Sequence, residues 1–209
     1  ARRRATQGGV GRFMTVDLIW QGPVGPGRFP EPAFPADPLL YENLCAAGVY
    51  LRIKTYENGR IIAYAGQSVS LLSRFDQHLA AMLSFAGDIV FTGDAAARID
   101  AYGNLADATA LATADAGRVR FWYALCDDYF HTEHLNLAEG LIQRRIAARL
   151  SARSSDVENA KAAPGAMPDD VPDAWANDLS GLDAADCDLL AGLLGDDTMT
   201  LDLLGGHAA

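Results

Sequence analysis

Apolar and polar positions form their clearest pattern from residue 48 onward. Val49-Tyr50-Leu51-Arg52-Ile53-Lys54-Thr55-Tyr56 and Arg60-Ile61-Ile62-Ala63-Tyr64-Ala65 are rich in β-branched and aromatic residues, with Glu57-Asn58-Gly59 between them. Such runs read as strands. Asn-Gly tolerates the positive φ angles of a type I′ turn, so the segment is predicted to be a β-hairpin. Ser70 can cap a helix that follows. Leu71, Leu72, Phe75, Leu79, Met82 and Leu83 recur there at three- and four-residue steps and form a buried stripe. Arg74 and His78, four apart, share a face at the edge of that stripe. Arg118–Cys126 reads as a third strand, with Trp122 and Tyr123 in the core. A second long helix runs from about Thr132 to Leu150. Short helices are expected near 94–102 and 104–114, and a short strand over Met14–Trp20.

Outside this region the composition shifts. Residues 21–38 hold Pro23, Pro26, Pro30, Pro32, Pro35 and Pro38 with Gly22, Gly25 and Gly27 among them, which reads as an extended arm. Beyond residue 155 the chain turns to Ala, Asp, Gly and Pro, interrupted by two apolar islands, Asp188–Leu194 and Met199–Leu204. The expected organisation is a Pro/Gly-rich arm over 1–40, a domain over 41–150, and an acidic, largely disordered tail over 151–209.

The net charge of −10 is concentrated in that tail. Residues 151–209 set Arg153 and Lys161 against twelve acids. Residues 40–150 set ten Lys/Arg against twelve Asp/Glu, and a near-neutral domain can still present a basic cleft. The tail could stay solvated, cover such a cleft, or dock a protein partner through Leu189, Leu190, Leu193 and Leu194. Cys45, Cys126 and Cys187 form no CxxC pair and read as reduced thiols in a cytoplasmic protein. No apolar run approaches the roughly 18 residues of a membrane span.

The second long helix carries the most informative residue. Leu135, Ile142, Ile146 and Leu150 make its apolar stripe, and Glu139 falls in the middle of it. An unpaired carboxylate is costly to bury, so Glu139 needs a cation, a donor or a water-filled cleft. A salt bridge to a nearby Arg and a divalent-metal site both answer that need.

Taken together these segments resemble the GIY-YIG nucleases. Gly48-Val49-Tyr50 stands where that family has GIY, and Tyr64-Ala65-Gly66, followed by Gln67-Ser68, stands where it has YIG. Arg74-Phe75-Asp76-Gln77-His78 is similar to the R-x3-H of some members' first helix, and Glu139-Gly140-Leu141-Ile142 to their metal-binding helix. The resemblance covers about half the chain. Val49 and Ala65 replace the motif isoleucines. The first Asn after the Glu helix is Asn159, much further on than the family's pattern has it.

The resemblance implies an α+β fold, a small three-stranded antiparallel sheet flanked by helices. It implies a metal-dependent endonuclease that hydrolyses phosphodiester bonds of nucleic acid, DNA foremost, with one Mg²⁺ or Mn²⁺ held by Glu139. Tyr50 would be the general base or would position the attacking water, with His78 as its helper or rival. Tyr64 would hold that water or a phosphate oxygen, and Arg74 would neutralise the scissile phosphate. Hydrolysis builds negative charge on the phosphoryl oxygens, which a guanidinium and a metal can both meet. The competing function is a catalytically silent module that binds nucleic acid or protein. His131-Thr132-Glu133-His134 suggests zinc only weakly, since it is neither HExxH nor its inversion, and reads as a helix start with two partly exposed histidines.

Overall fold

The structure, a computed structural model, describes residues 2–8, 11–24, 38–83, 105–126, 132–150, 156–157, 171–195 and 197–205. The elements are β1 (Arg2–Gly8), β2 (Gly11–Val24), α1 (Pro38–Cys45), β3 (Gly48–Thr55), β4 (Ile61–Ser68), α2 (Leu71–Leu83), α3 (Leu105–Ala116) and β5 (Val119–Leu125). They continue with α4 (Thr132–Leu150), β6 (Asp156–Val157), β7 (Ala174–Asp178), α5 (Ala184–Leu194), β8 (Met199–Thr200) and α6 (Asp202–Gly205). The helix expected near 94–102 lies outside the described residues.

The hairpin forms as the residue pattern requires. β3 and β4 pair antiparallel from Gly48↔Ser68 to Thr55↔Ile61. The loop is three residues long rather than two: Tyr56 N–H donates to the Arg60 carbonyl at 2.9 Å and Gly59 N–H to the Tyr56 carbonyl at 2.9 Å. Gly59 takes φ +80°, the left-handed conformation that closes a three-residue hairpin loop. Ser70 caps α2, its Oγ accepting from Ser73 N–H at 3.4 Å. β5 pairs antiparallel with the other edge of β3, from Gly48↔Leu125 to Lys54↔Val119.

The expected three-stranded antiparallel sheet is overturned: β4-β3-β5 lies within a larger mixed sheet. Its order is β6-β4-β3-β5-β2-β7-β8, with β1 also on β2. Six of the eight strands have five or more residues, and β6 and β8 have two each. β2 makes the difference. One end pairs antiparallel with β5 (Trp20↔Ala124), and the earlier part pairs antiparallel with β1 and parallel with β7 (Thr15↔Ala174 to Ile19↔Asp178). Val16, Leu18 and Trp20 alternate along β2 and are fully buried, so a segment flanked by glycines and prolines is a central strand. Residues 2–8 and 11–24 are therefore part of the sheet and not of an extended arm.

Alternation along the strands creates two faces. Val49, Leu51 and Ile53 of β3, Ala63 and Ala65 of β4 and Trp122 and Ala124 of β5 pack with Leu135, Ala138, Leu141, Ile142 and Ile146 of α4 in the main core. Tyr50, Phe121 and Tyr123 point the other way and pack with Leu44 of α1 and with Leu71 and Phe75 of α2.

The described part of the acidic segment is structured. Trp175 of β7, Leu190, Leu193 and Leu194 of α5 and Met199 of β8 belong to the main core. Asp183 caps α5 by accepting from Asp186 N–H at 2.9 Å. Arg145 of α4 is hydrogen-bonded to Asp197 and donates to the Thr198 carbonyl at 3.1 Å. The leucines expected to dock a partner are thus committed to the fold. An averaged composition concealed this, because Asp173, Asp183, Asp188, Asp197 and Asp202 are exposed while a few correctly spaced apolar side chains turn inward. Among the described residues no helix is long and apolar enough to cross a membrane.

Candidate active site

Tyr50 occupies the middle of the α2-facing side of the sheet. Its cross-strand partner on β4 is Gly66, and the phenol lies directly over that glycine: a Cβ added at Gly66 would overlap the Tyr50 hydroxyl. The glycine of Tyr64-Ala65-Gly66 is therefore the clearance that lets the phenol lie flat across β4. Tyr64, two residues earlier on the same face, stacks against Tyr50 with ring centroids 6.0 Å apart and planes at 22°.

α2 brings the cationic and imidazole groups to this surface. Leu71 and Phe75 hold it there, with Phe75 edge-on to Phe121 of β5 at 4.7 Å. One helical turn separates Arg74 from His78, so both project on the side of the tyrosines. His78 Nε2 lies 2.7 Å from the Tyr50 hydroxyl. Arg74 Nε donates to the same oxygen at 3.3 Å, and its Nη1 donates to Gln77 Oε1 at 2.8 Å. Four of the five residues expected to form the site thus converge.

Burial sets the electrostatics. Tyr50 and His78 are buried, whereas Tyr64 and Arg74 are partly exposed and form the side open to solvent. Burial, reinforced by Tyr64 and opposed by Arg74, pushes the Tyr50 phenol above its ordinary value of 10.0. His78 is lowered from 6.5 to about 3, first by burial and then by the charges of Arg52 and Arg74. Arg74 is pushed up, chiefly by its hydrogen bond to Tyr50. At neutral pH the cluster therefore holds a protonated phenol, a neutral imidazole and a guanidinium. Arg74 favours the phenolate, but burial outweighs it. These groups can bind and orient an anion.

Arg52 was not expected here. It sits two residues after Tyr50 on the same face of β3, 1 % exposed. Its Nη1 lies 3.3 Å from His78 Nδ1 and its guanidinium 5.2 Å from the Tyr64 ring centre. A signal was available in the sequence: period-two alternation puts Tyr50, Arg52 and Lys54 on one face, opposite Val49, Leu51 and Ile53.

Glu139 is placed differently. It lies on α4, which covers the opposite face of the sheet, and it is 2 % exposed. Gln143 Nε2 donates both to Glu139 Oε1 and to the Ala65 carbonyl, each at 3.1 Å. Gln143 thus links Glu139 to the Ala65 carbonyl of β4, while the Tyr50 phenol crosses the neighbouring Gly66. Among the described residues no group of three or more His, Cys, Asp or Glu side chains could hold a metal. Mg²⁺ bound by one carboxylate needs water and phosphate oxygens to complete its shell, and a 2 % exposed Glu139 on the face away from Arg74 and Tyr64 does not fit that requirement. His134 is fully buried on α4 rather than partly exposed, and His131 lies outside the described residues.

No family model, no curated protein and no solved structure matches this chain.

Proposed function

We propose that the chain is a metal-dependent endonuclease that hydrolyses phosphodiester bonds of nucleic acid, with DNA as the first substrate to examine, through a GIY-YIG-type set of residues. The observation that carries this reading is the convergence of Tyr50, Tyr64, Arg74 and His78 on one surface, across a glycine that makes room for the phenol. A packing role alone requires none of that polar chemistry, and an apolar set would fill the same space without desolvating so many donors.

In this reading Arg74, on the open side, meets the negative charge that grows on the phosphoryl oxygens. The hydroxyls of Tyr64 and Tyr50 donate to those oxygens or to the attacking water. His78 and Arg74 hold the Tyr50 oxygen in place. Glu139, the expected ligand of Mg²⁺ or Mn²⁺, lies on the other face of the sheet and is 2 % exposed, so it takes no part in this arrangement as placed. Cys45, Cys126 and Cys187 form no disulfide, which fits a reduced, cytoplasmic setting.

Nicking of supercoiled plasmid in Mg²⁺, inhibited by EDTA and lost in Arg74→Ala with the fold intact, is the expected result. Undiminished cutting in EDTA would remove the metal dependence. A second reading, a catalytically silent module that binds nucleic acid, draws support from the raised Tyr50 phenol and the depressed His78. It predicts salt-sensitive DNA binding and no nicking in any divalent metal.

A further inference from the structure

We infer that Arg52 is a positioning residue: it fixes the tautomer of His78 and thereby turns the Tyr50 hydroxyl proton toward the open side of the site. The inference rests on reading Tyr50 as part of the reacting site, but its central measurement does not.

A guanidinium has five N–H donors and no acceptor. Arg52 Nη1 lies 3.3 Å from His78 Nδ1, and both side chains are buried. A donor facing a donor there would be costly, so Nδ1 presents its lone pair to Arg52. The imidazole is neutral in the physiological range, and a neutral ring carries one N–H, which must then be on Nε2.

That N–H faces the Tyr50 oxygen at 2.7 Å and donates to it. Arg74 Nε donates to the same oxygen at 3.3 Å. A phenolic oxygen has two lone pairs, and both are engaged. The hydroxyl proton cannot point at either donor, and the direction left is toward Tyr64, whose ring stacks beside that of Tyr50 with centroids 6.0 Å apart. Tyr64 and Arg74 are the partly exposed members of the cluster, so this is the direction from which a phosphate oxygen arrives.

The opposite tautomer would produce the opposite chemistry. With the proton on Nδ1, the phenol would donate inward to Nε2, and His78 would act as its base. Arg52 selects between these states without touching substrate. The Tyr64 ring, 5.2 Å from the guanidinium carbon, holds Arg52 by a cation–π contact and ties the selector to the site.

The test is ¹⁵N NMR of the histidine rings in the full chain at neutral pH, with His78 assigned by its loss in His78→Gln. The expected spectrum has an unprotonated Nδ1 and a protonated Nε2. A protonated Nδ1 in the wild type overturns the inference whatever any variant does. Arg52→Lys keeps a donor and should keep the pattern. Arg52→Met removes the donor, should shift His78 toward Nδ1–H, and should slow plasmid nicking at least about tenfold with DNA affinity little changed. An Arg52→Met protein that folds and retains the wild-type tautomer also overturns the assignment. The expected tautomer in a wild type that nicks nothing would sink the nuclease reading and leave the role of Arg52 standing.

Discussion

The Tyr50 hydroxyl and His78 Nε2 meet at 2.7 Å across the interface between β3 and α2, joining residues 28 positions apart. Neither group is at the surface, and each is shifted toward its neutral form. The pair is therefore a hydrogen bond between uncharged partners, held between the guanidinium groups of Arg52 and Arg74.

This arrangement makes Gly66 a sensitive position. Gly66→Ala introduces a methyl into the space of the Tyr50 hydroxyl. Overpacking of this kind costs about 1–3 kcal/mol of stability, and the displaced phenol should lower the nicking rate further. A Gly66→Ala protein with wild-type melting temperature and rate would show that the phenol does not need its place over β4.

Arg74→Lys should behave as a loss and not as a conservative change. The Arg74 guanidinium reaches Tyr50 with Nε and Gln77 with Nη1, leaving its outer edge for a phosphate. An ammonium is a point charge that cannot make both contacts in the same geometry. The expected loss in rate is about 10²–10³-fold, the usual effect of removing one preorganised donor. Single-turnover cleavage measured beside DNA affinity checks it, since a pure binding role would change affinity instead.

His78 makes stability depend on pH in a defined direction. Its folded value of about 3 lies below the ordinary 6.5, so between those values the unfolded chain binds the extra proton. The contribution is complete above pH 6.5 and is lost as pH falls toward 3, at no more than about 1.4 kcal/mol per pH unit. Between pH 6.5 and 4.5, before most carboxylates titrate, the wild type should lose melting temperature more steeply than His78→Gln. Parallel curves for the two proteins would show that the imidazole is not buried in its neutral form.

Removing residues 151–209 should abolish folding. The deletion takes Trp175, Leu190, Leu193, Leu194 and Met199 out of the main core. Each large side chain lost from a core costs about 2–5 kcal/mol, and five together, about 10–25 kcal/mol, match or exceed the roughly 5–15 kcal/mol that holds a domain together. A 1–150 fragment should lack a cooperative melt by circular dichroism. A folded fragment with tightened DNA binding would instead revive the expectation that this segment is a separable cover over a cleft.

Local pattern determined a good deal of this protein. The hairpin around Gly59, the Ser70 cap, the strand through Trp122 and the helix from Thr132 to Leu150 rest on side-chain periodicity and turn chemistry, which act over a few residues. The grouping of Tyr50, Tyr64, Arg74 and His78 was expected from the family resemblance, with helical spacing alone placing Arg74 and His78 on one face. Tertiary structure alone decided the size of the sheet. β2 pairs with β5 and β7 from more than a hundred residues away in sequence, and no local pattern encodes a partner at that distance. It also decided that Trp175 and the leucines of α5 are core and not tail, since what buries them is the face of α4 and the sheet. The charge states were settled in the same way: the Tyr50 phenol and His78 depart from their ordinary values chiefly because the packed sheet and α2 remove them from water, and desolvation is a property of the assembled surroundings.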